Sequence, residues 1–153
     1  MLDNLWPWDK LTFNNIKDKA FSMSESIFPF YEGSMSDYLY GNSWINNDGH
    51  RDAFRHSYWN ILLARKFGED WTKRFTIAHE ALPENPATRE AMDLYNNEAG
   101  RTIALENPNA DENELSELLR KAINDGKLIV INQLGKLDWS NKQSCTLAAW
   151  SNS

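Results

Sequence analysis

The run HRDAFRHSYWNILLARKF, His50 to Phe67, is apolar on almost every side and yet carries a line of reactive polar groups. At about 100° per residue, Asp52, His56 and Asn60 fall at i, i+4 and i+8 and form one stripe along a helix. Ala53, Trp59, Leu63, Ala64 and Phe67 share that side, and Phe54, Tyr58, Ile61 and Leu62 occupy the other. A helix that is apolar all round sits at the centre of a fold. A buried Asp or His must then be hydrogen-bonded, paired or metal-bound, because leaving it unsatisfied costs several kcal/mol. The chain therefore has to enclose this segment and also bring partners to its polar stripe.

The neighbouring segments can supply them. After Gly68, DWTKRFTIAHEAL reads as a third helix that starts near Asp70 and ends at Pro83. Its apolar face is Trp71, Phe75, Ala78 and Leu82, with His79 on the edge and Glu80 on the opposite side. Periodicity thus selects His79 as the inward group. Asn85-Pro86 reads as an N-cap and a first-position proline for a fourth helix, ATREAMDLYNNEAGRTIALEN, which runs to Pro108. On that helix Asp93, Asn96, Asn97 and Gly100 hold the middle of one arc, opposite Tyr95, Glu98, Thr102 and Glu106. Gly100 costs about 1 kcal/mol relative to Ala inside a helix. Close approach of a neighbouring helix or a ligand can offset that cost. Antiparallel helices with short loops place such groups face to face.

The rest of the chain adds two helices and a small β element. Phe13, Ile16, Ala20, Met23 and Ile27 recur at helical spacing up to Pro29. An irregular stretch rich in Gly, Ser, Asn and aromatics follows, and its end, Asn46 to Gly49, offers an N-cap. Asp111 with Glu114 forms a capping-box pattern for a fifth helix that stops at Gly126. KLIVIN and KLDWS pair as a hairpin across QLGK. The expectation is a mainly α, compact helical domain of about five helices with a short C-terminal β-hairpin. All 153 residues form a single domain: an N-terminal helix and irregular segment over 1–48, a site-bearing three-helix core over 49–108, and a C-terminal helix and hairpin over 109–153. A chain of this length that is 41% hydrophobic can bury a core.

Composition removes several classes. The single cysteine, Cys145, excludes an internal disulfide and a thiolate metal site. A net charge of −6 gives no general attraction to phosphate backbones, which disfavours nucleic acid. No apolar run reaches the length of a bilayer span, and the start MLDNLWPWDK has no secretory-signal pattern. Trp6 and Trp8 at that start either meet a membrane interface or pack onto the domain.

Two chemistries fit the converging polar groups. In one, His56, His79 and one or both of Asp52 and Asp93 ligate a divalent metal (Zn, Mn, Fe or Ca) that activates water for hydrolysis. In the other, no metal is needed: a histidine is the general base, an aspartate fixes its tautomer, and Asn97 or Arg101 stabilises an anionic intermediate. His56, His79, Asp52 and Asp93 are the catalytic candidates, and Asn60, Asn97, Arg101 and Arg55 the substrate-binding ones. Ser57 is a conceivable nucleophile, but adjacent helix positions diverge from His56. Arg51, Arg55, Arg65, Lys66 and Arg74 read as surface or snorkelling side chains, and His50 as a loop or cap residue. A purely structural network in which Asp52, His56, Asp93 and Asn97 satisfy one another remains the competing reading.

The segments DAFRHSYWN, AHE and MDLYNNEAGR resemble an uncharacterised bacterial domain family. Its pattern is D-A-F-R-H-x-x-W, then A-H-E, then M-D-x-x-N-N-x-x-G-R, over about Gly49 to Ala104 of this chain. That family occurs in secreted proteins and at the C-termini of toxin-like chains used in competition between bacteria. The resemblance implies a core of Asp52, Arg55, His56, Trp59, His79, Glu80, Asp93, Asn97, Gly100 and Arg101. It adds Glu80 to the metal-ligand candidates, against the periodicity. A fainter similarity links RHSYWN to bacterial phospholipases A2, where a histidine stands next to a calcium-binding aspartate. Here Ser57 takes that aspartate's place, which counts against that calcium mechanism.

The resulting expectation leans towards an enzyme: an antibacterial, toxin-like hydrolase of an ester or phosphoester in membrane lipid or the cell envelope. A cognate immunity protein and peripheral membrane contact would accompany it. The protein would be bacterial and exported without a classical signal peptide or within a larger secreted chain, or else cytoplasmic. A non-enzymatic binding module and a nuclease toxin are the alternatives.

Overall fold

The computed structural model describes residues 7–29, 48–81, 85–132 and 134–142. Among them are five helices: α1 (Pro7–Ile27), α2 (His50–Phe67), α3 (Glu69–Glu80), α4 (Ala87–Glu106) and α5 (Glu112–Asn124). An antiparallel hairpin of β1 (Ile129–Ile131) and β2 (Leu137–Trp139) follows, with Val130 opposite Asp138, and then one 3₁₀ turn, Ser140–Lys142. The chain thus folds as the mainly α domain with a C-terminal hairpin that its sequence predicts. Trp6, the irregular stretch with Asn46 and Asn47, the Pro83 stop and Cys145 lie outside the described residues. No described helix is long and apolar enough to cross a membrane.

α2 is the central helix, in contact with α1, α3, α4, α5 and β1. Its Phe54, Tyr58, Ile61 and Leu63 are fully enclosed and share one cluster with Met92 of α4, Leu115, Leu119 and Ile123 of α5, and Leu128 and Val130. Only Gly68 separates α2 from α3. It sits at φ 85°, in the left-handed region that glycine enters without steric cost, and this lets the chain turn back within one residue.

α2 and α4 approach each other closely at Gly100. A Cβ on Gly100 would lie 2.2 Å from the Ser57 carbonyl oxygen. The Ser57 hydroxyl donates to the Asn96 carbonyl at 2.8 Å, so Ser57 fastens two helices and is fully buried. Of the two uses open to a helical glycine, Gly100 serves the neighbouring helix. The contact sets the distance across which the polar stripes of α2 and α4 meet.

Several helix ends follow the sequence and others do not. Asp111 and Glu114 form the expected capping box, with bonds of 2.9 and 2.7 Å. α4 starts one residue later than expected, with Pro86 at the cap position. Asn85 donates instead to the last-turn carbonyl of α3, Glu80 O, at 3.2 Å. Arg51 is no surface residue: it is buried and donates to Phe28 O at 2.8 Å and 2.6 Å, tying the start of α2 to the end of α1. His50 is likewise buried, with Nε2 2.8 Å from Ser140 O, which ties the hairpin to the same point. The Asn96 amide docks β1 on α4, donating to Ile129 O at 2.9 Å and accepting from Ile129 N at 3.1 Å. These polar groups look chemically capable in the sequence and are used as fasteners.

Candidate active site

His56 is the centre of the site. It lies midway along α2, and the close α2–α4 contact brings Asp93 opposite it. Its Nε2 is 3.4 Å from Asp52 Oδ1, one turn back on the same helix, and 3.6 Å from Asp93 Oδ1. Its Nδ1 is 3.6 Å from Glu80 Oε1, at the end of α3. Asp52 also pairs with Arg55, and Arg89 of α4 grips Asp48 through two bonds of 2.6 and 2.9 Å. Three carboxylates therefore surround one imidazole at the junction of three helices, with two guanidiniums at its margin.

The separations are informative. At 3.4–3.6 Å the ring nitrogens are too far from the oxygens for good N–H···O bonds, which cluster near 2.9 Å. His56 Nδ1 and Asp93 Oδ1 are buried without a hydrogen-bond partner among the described residues. A cation with ligand bonds of about 2.1 Å in a tetrahedral shell holds its donor atoms about 3.4 Å apart. Asp52, His56 and Asp93 each offer one donor atom, all within 4.8 Å of one another. The two distances from His56 Nε2 are close to that value, and the group could hold a borderline-to-hard divalent metal by its donor types.

The electrostatics carry the same tension. Burial pushes the His56 pKa down, but the contact with Asp52 and the charges of Asp52, Asp93 and Glu80 outweigh it and raise the pKa to about 9. Burial raises Asp93 to about 7; the His56 charge opposes this, and Asp52 and Glu80 add to it. Three carboxylates in one enclosed space need positive charge, which either a proton on His56 or a metal ion can provide.

Behind Glu80 runs a chain of neutral and cationic groups. Asn97 donates to Glu80 Oε1 at 3.2 Å, Asn60 donates to Asn97 Oδ1 at 2.6 Å, and Arg101 donates to Asn60 Oδ1 at 2.9 Å and to Thr76 Oγ1 at 3.2 Å. Asn60 and Asn97 are fully buried and Arg101 nearly so. The structure thus brings Asn60, Asn97 and Arg101 together as the support of Glu80, whereas Arg55 stands beside Asp52 on the wall of a cavity.

The inward member of the His79–Glu80 pair is Glu80, the reverse of what periodicity selects. Glu80 is 4% exposed, and His79 is exposed and stands apart from the carboxylates. α3 buries the polar stripe Thr72, Thr76 and Glu80 against α4, while Trp71, Phe75 and His79 stack along the adjacent stripe. His79 also meets Trp59 edge-on at 5.5 Å. As a metal ligand together with Asp52 and Asp93, His79 does not fit, and Glu80 faces His56 Nδ1, the ring nitrogen turned away from those two carboxylates. Both histidines line one cavity of about 320 Å³ between α1, α2 and α3. Sequence reasoning missed the share of α1 in this cavity and the roles of Thr76 and Arg89. The i, i+4, i+8 spacing of Thr72, Thr76 and Glu80 was the available signal.

A domain family of unknown function, DUF6973, matches residues 4–127, a span that holds all five helices and every residue of the site and ends before the hairpin. No curated protein and no solved structure matches the chain.

Proposed function

The chain belongs to the DUF6973 family, and from the geometry of its site we propose that it is a hydrolase of an ester or phosphoester that works with one divalent cation held by Asp52, His56 and Asp93. The observation that carries this reading is the pair of 3.4 and 3.6 Å separations from His56 Nε2 to two carboxylate oxygens. When bound, such a cation polarises the substrate's oxygen and lowers the pKa of water. Glu80, facing His56 Nδ1 from 3.6 Å, favours the tautomer that is protonated there and leaves Nε2 free as a ligand. Asn97 fixes Glu80 in that position. Arg55, paired with Asp52, sets the carboxylate's direction and places a cation where a substrate anion would arrive.

A metal-free reading is favoured by one observation, the His56 pKa raised to about 9. There His56 is an imidazolium that neutralises the carboxylates and serves stability alone, as in a non-enzymatic binding module. Metal content and a hydrolysis screen separate the two. The purified protein is loaded with Zn, Mn or Ca in turn and assayed on carboxylic-ester, phosphomonoester and phosphodiester reporters. We expect activity with one metal that His56→Ala and Asp93→Asn both abolish while remaining folded. Absence of turnover with every metal, together with a large loss of stability in His56→Ala, would replace the hydrolase by the structural reading.

The same proposal assigns a membrane-lipid or cell-envelope substrate and a toxin-like, antibacterial role with a cognate immunity protein. It rests on the motif resemblance and the acidic net charge. Inducible expression in bacteria, directed to cytoplasm and periplasm separately, tests it. Growth arrest in the periplasm alone is expected, and unimpaired growth in both compartments would remove the toxin assignment.

A further inference from the structure

We propose that the cavity beside His56 binds a single-chain anionic amphiphile: one alkyl or aryl group joined to a carboxylate or phosphate. The inference names the substrate class of the proposed hydrolase, and it takes that reading as given only in calling the ligand a substrate. The binding itself stands on the cavity.

Aromatic rings from three helices, Phe13 of α1, Trp59 of α2 and Phe75 of α3, make its apolar wall and pack edge to face, with centroids 5.1 to 5.8 Å apart. All three are at least nine-tenths buried, so the wall is preformed. A volume of about 320 Å³ lies at the small end of the range of ligand pockets, roughly 300–1,000 Å³, and suits one chain rather than two.

Among the described residues, the polar ones on the lining are Lys17, Arg55, His56 and His79, with no Asp or Glu. That is unusual for a chain with 22 acidic and 16 basic residues, in which an average lining would carry more acids than bases. The Arg55 guanidinium is held in place from two sides. It pairs with Asp52 and lies 4.8 Å from the centre of the Phe21 ring, which is itself half-exposed at the cavity. An apolar slot whose two described Lys and Arg lining residues, Lys17 and Arg55, are both cationic selects, in an acidic protein, a ligand with a hydrocarbon body and a negative head. A cationic amphiphile would have to displace like charge, and a free anion would leave the aromatic wall unused.

The experiment is calorimetric titration of the full chain with decyl phosphate below its micellar concentration, beside inorganic phosphate and decyl trimethylammonium. Decyl phosphate should bind at least tenfold more tightly than either. The double variant Lys17→Glu/His79→Glu changes two exposed positions, so it should fold, and it should lose that preference by tenfold or more; Lys121→Glu on α5 should not. Asp93→Asn should keep the binding while losing hydrolysis. Co-sedimentation with anionic vesicles that the double variant abolishes would mark a membrane lipid as the source. Binding of the monomer without co-sedimentation would mark a soluble amphiphile, and both outcomes support the cavity's assignment. Equal affinity for the three probes, or binding unchanged in the double variant, would overturn it. Hydrolysis that persists without amphiphile binding would overturn this inference and leave the hydrolase standing.

Discussion

His56 Nε2 on α2 and Asp93 Oδ1 on α4 face each other at 3.6 Å, and Asp93 Oδ1 has no hydrogen-bond donor among the described residues. Two groups buried this way, with a second carboxylate 3.4 Å from the same nitrogen, are too far apart for good hydrogen bonds and are the donors that the proposed cation would use. The consequences can be measured.

Without metal, stability should fall as pH rises from about 4 to 9. Asp93 has its pKa raised from 3.8 to about 7. It holds its proton more tightly in the folded chain, so its favourable contribution is complete below pH 4 and is lost on rising through pH 7. His56, raised from 6.5 to about 9, contributes fully below pH 6.5 and loses its contribution as pH rises through 9. Both signs agree. Urea melts of chelated protein should show this slope, and His56→Gln should flatten its upper half. A slope that is the same in His56→Gln contradicts the assignment.

Metal affinity should run the other way. Binding needs His56 neutral and Asp93 ionised, so it releases protons and tightens from pH 6 to pH 8. Titrations at several pH values check this, and an affinity independent of pH would mean that neither group is a ligand.

Glu80→Gln should fold and lose about 10- to 100-fold in metal affinity or hydrolysis, the usual effect of weakening the partner behind a ligating imidazole, here by removing its negative charge. His79→Ala should leave the metal stoichiometry unchanged, because the ring stacks on Phe75 and Trp59 away from the carboxylates. If His79→Ala loses the ion and Glu80→Gln keeps it, the site has been drawn on the wrong residue.

Gly100→Ala should destabilise the fold strongly, since its Cβ would meet the Ser57 carbonyl oxygen at 2.2 Å and neither backbone can yield cheaply. Overpacking costs about 1–3 kcal/mol in ordinary cores, and a clash with backbone should reach or exceed the top of that range. Thermal melts decide it, and a variant within about 0.5 kcal/mol of the parent would show that α2 and α4 are farther apart.

Much of this arrangement can be read in the sequence because α2 is apolar all round. Such a helix must be central, and the stripe of Asp52, His56 and Asn60 must then find partners on its neighbours. Asp93 and Asn97 are found the same way, one turn apart beside a helical glycine. The reasoning fails on α3. An apolar count assigns the inward face to Trp71, Phe75 and His79, yet the stripe that packs on α4 is Thr72, Thr76 and Glu80, whose partners are themselves polar. Hydrophobic periodicity finds a core and is blind to a polar seam. His50, Arg51 and Asn96 mislead for a related reason: each satisfies a backbone group from a distant segment, which no local pattern reveals.

The most direct measurement is metal stoichiometry by titration and elemental analysis on the parent chain and on Asp93→Asn, with circular dichroism to show that both are folded. The account predicts one divalent ion per chain for the parent, with a thermal midpoint several degrees higher when it is bound, and no ion for Asp93→Asn. A folded parent that binds none of Zn, Mn or Ca, or an Asp93→Asn chain that binds as the parent does, would contradict it.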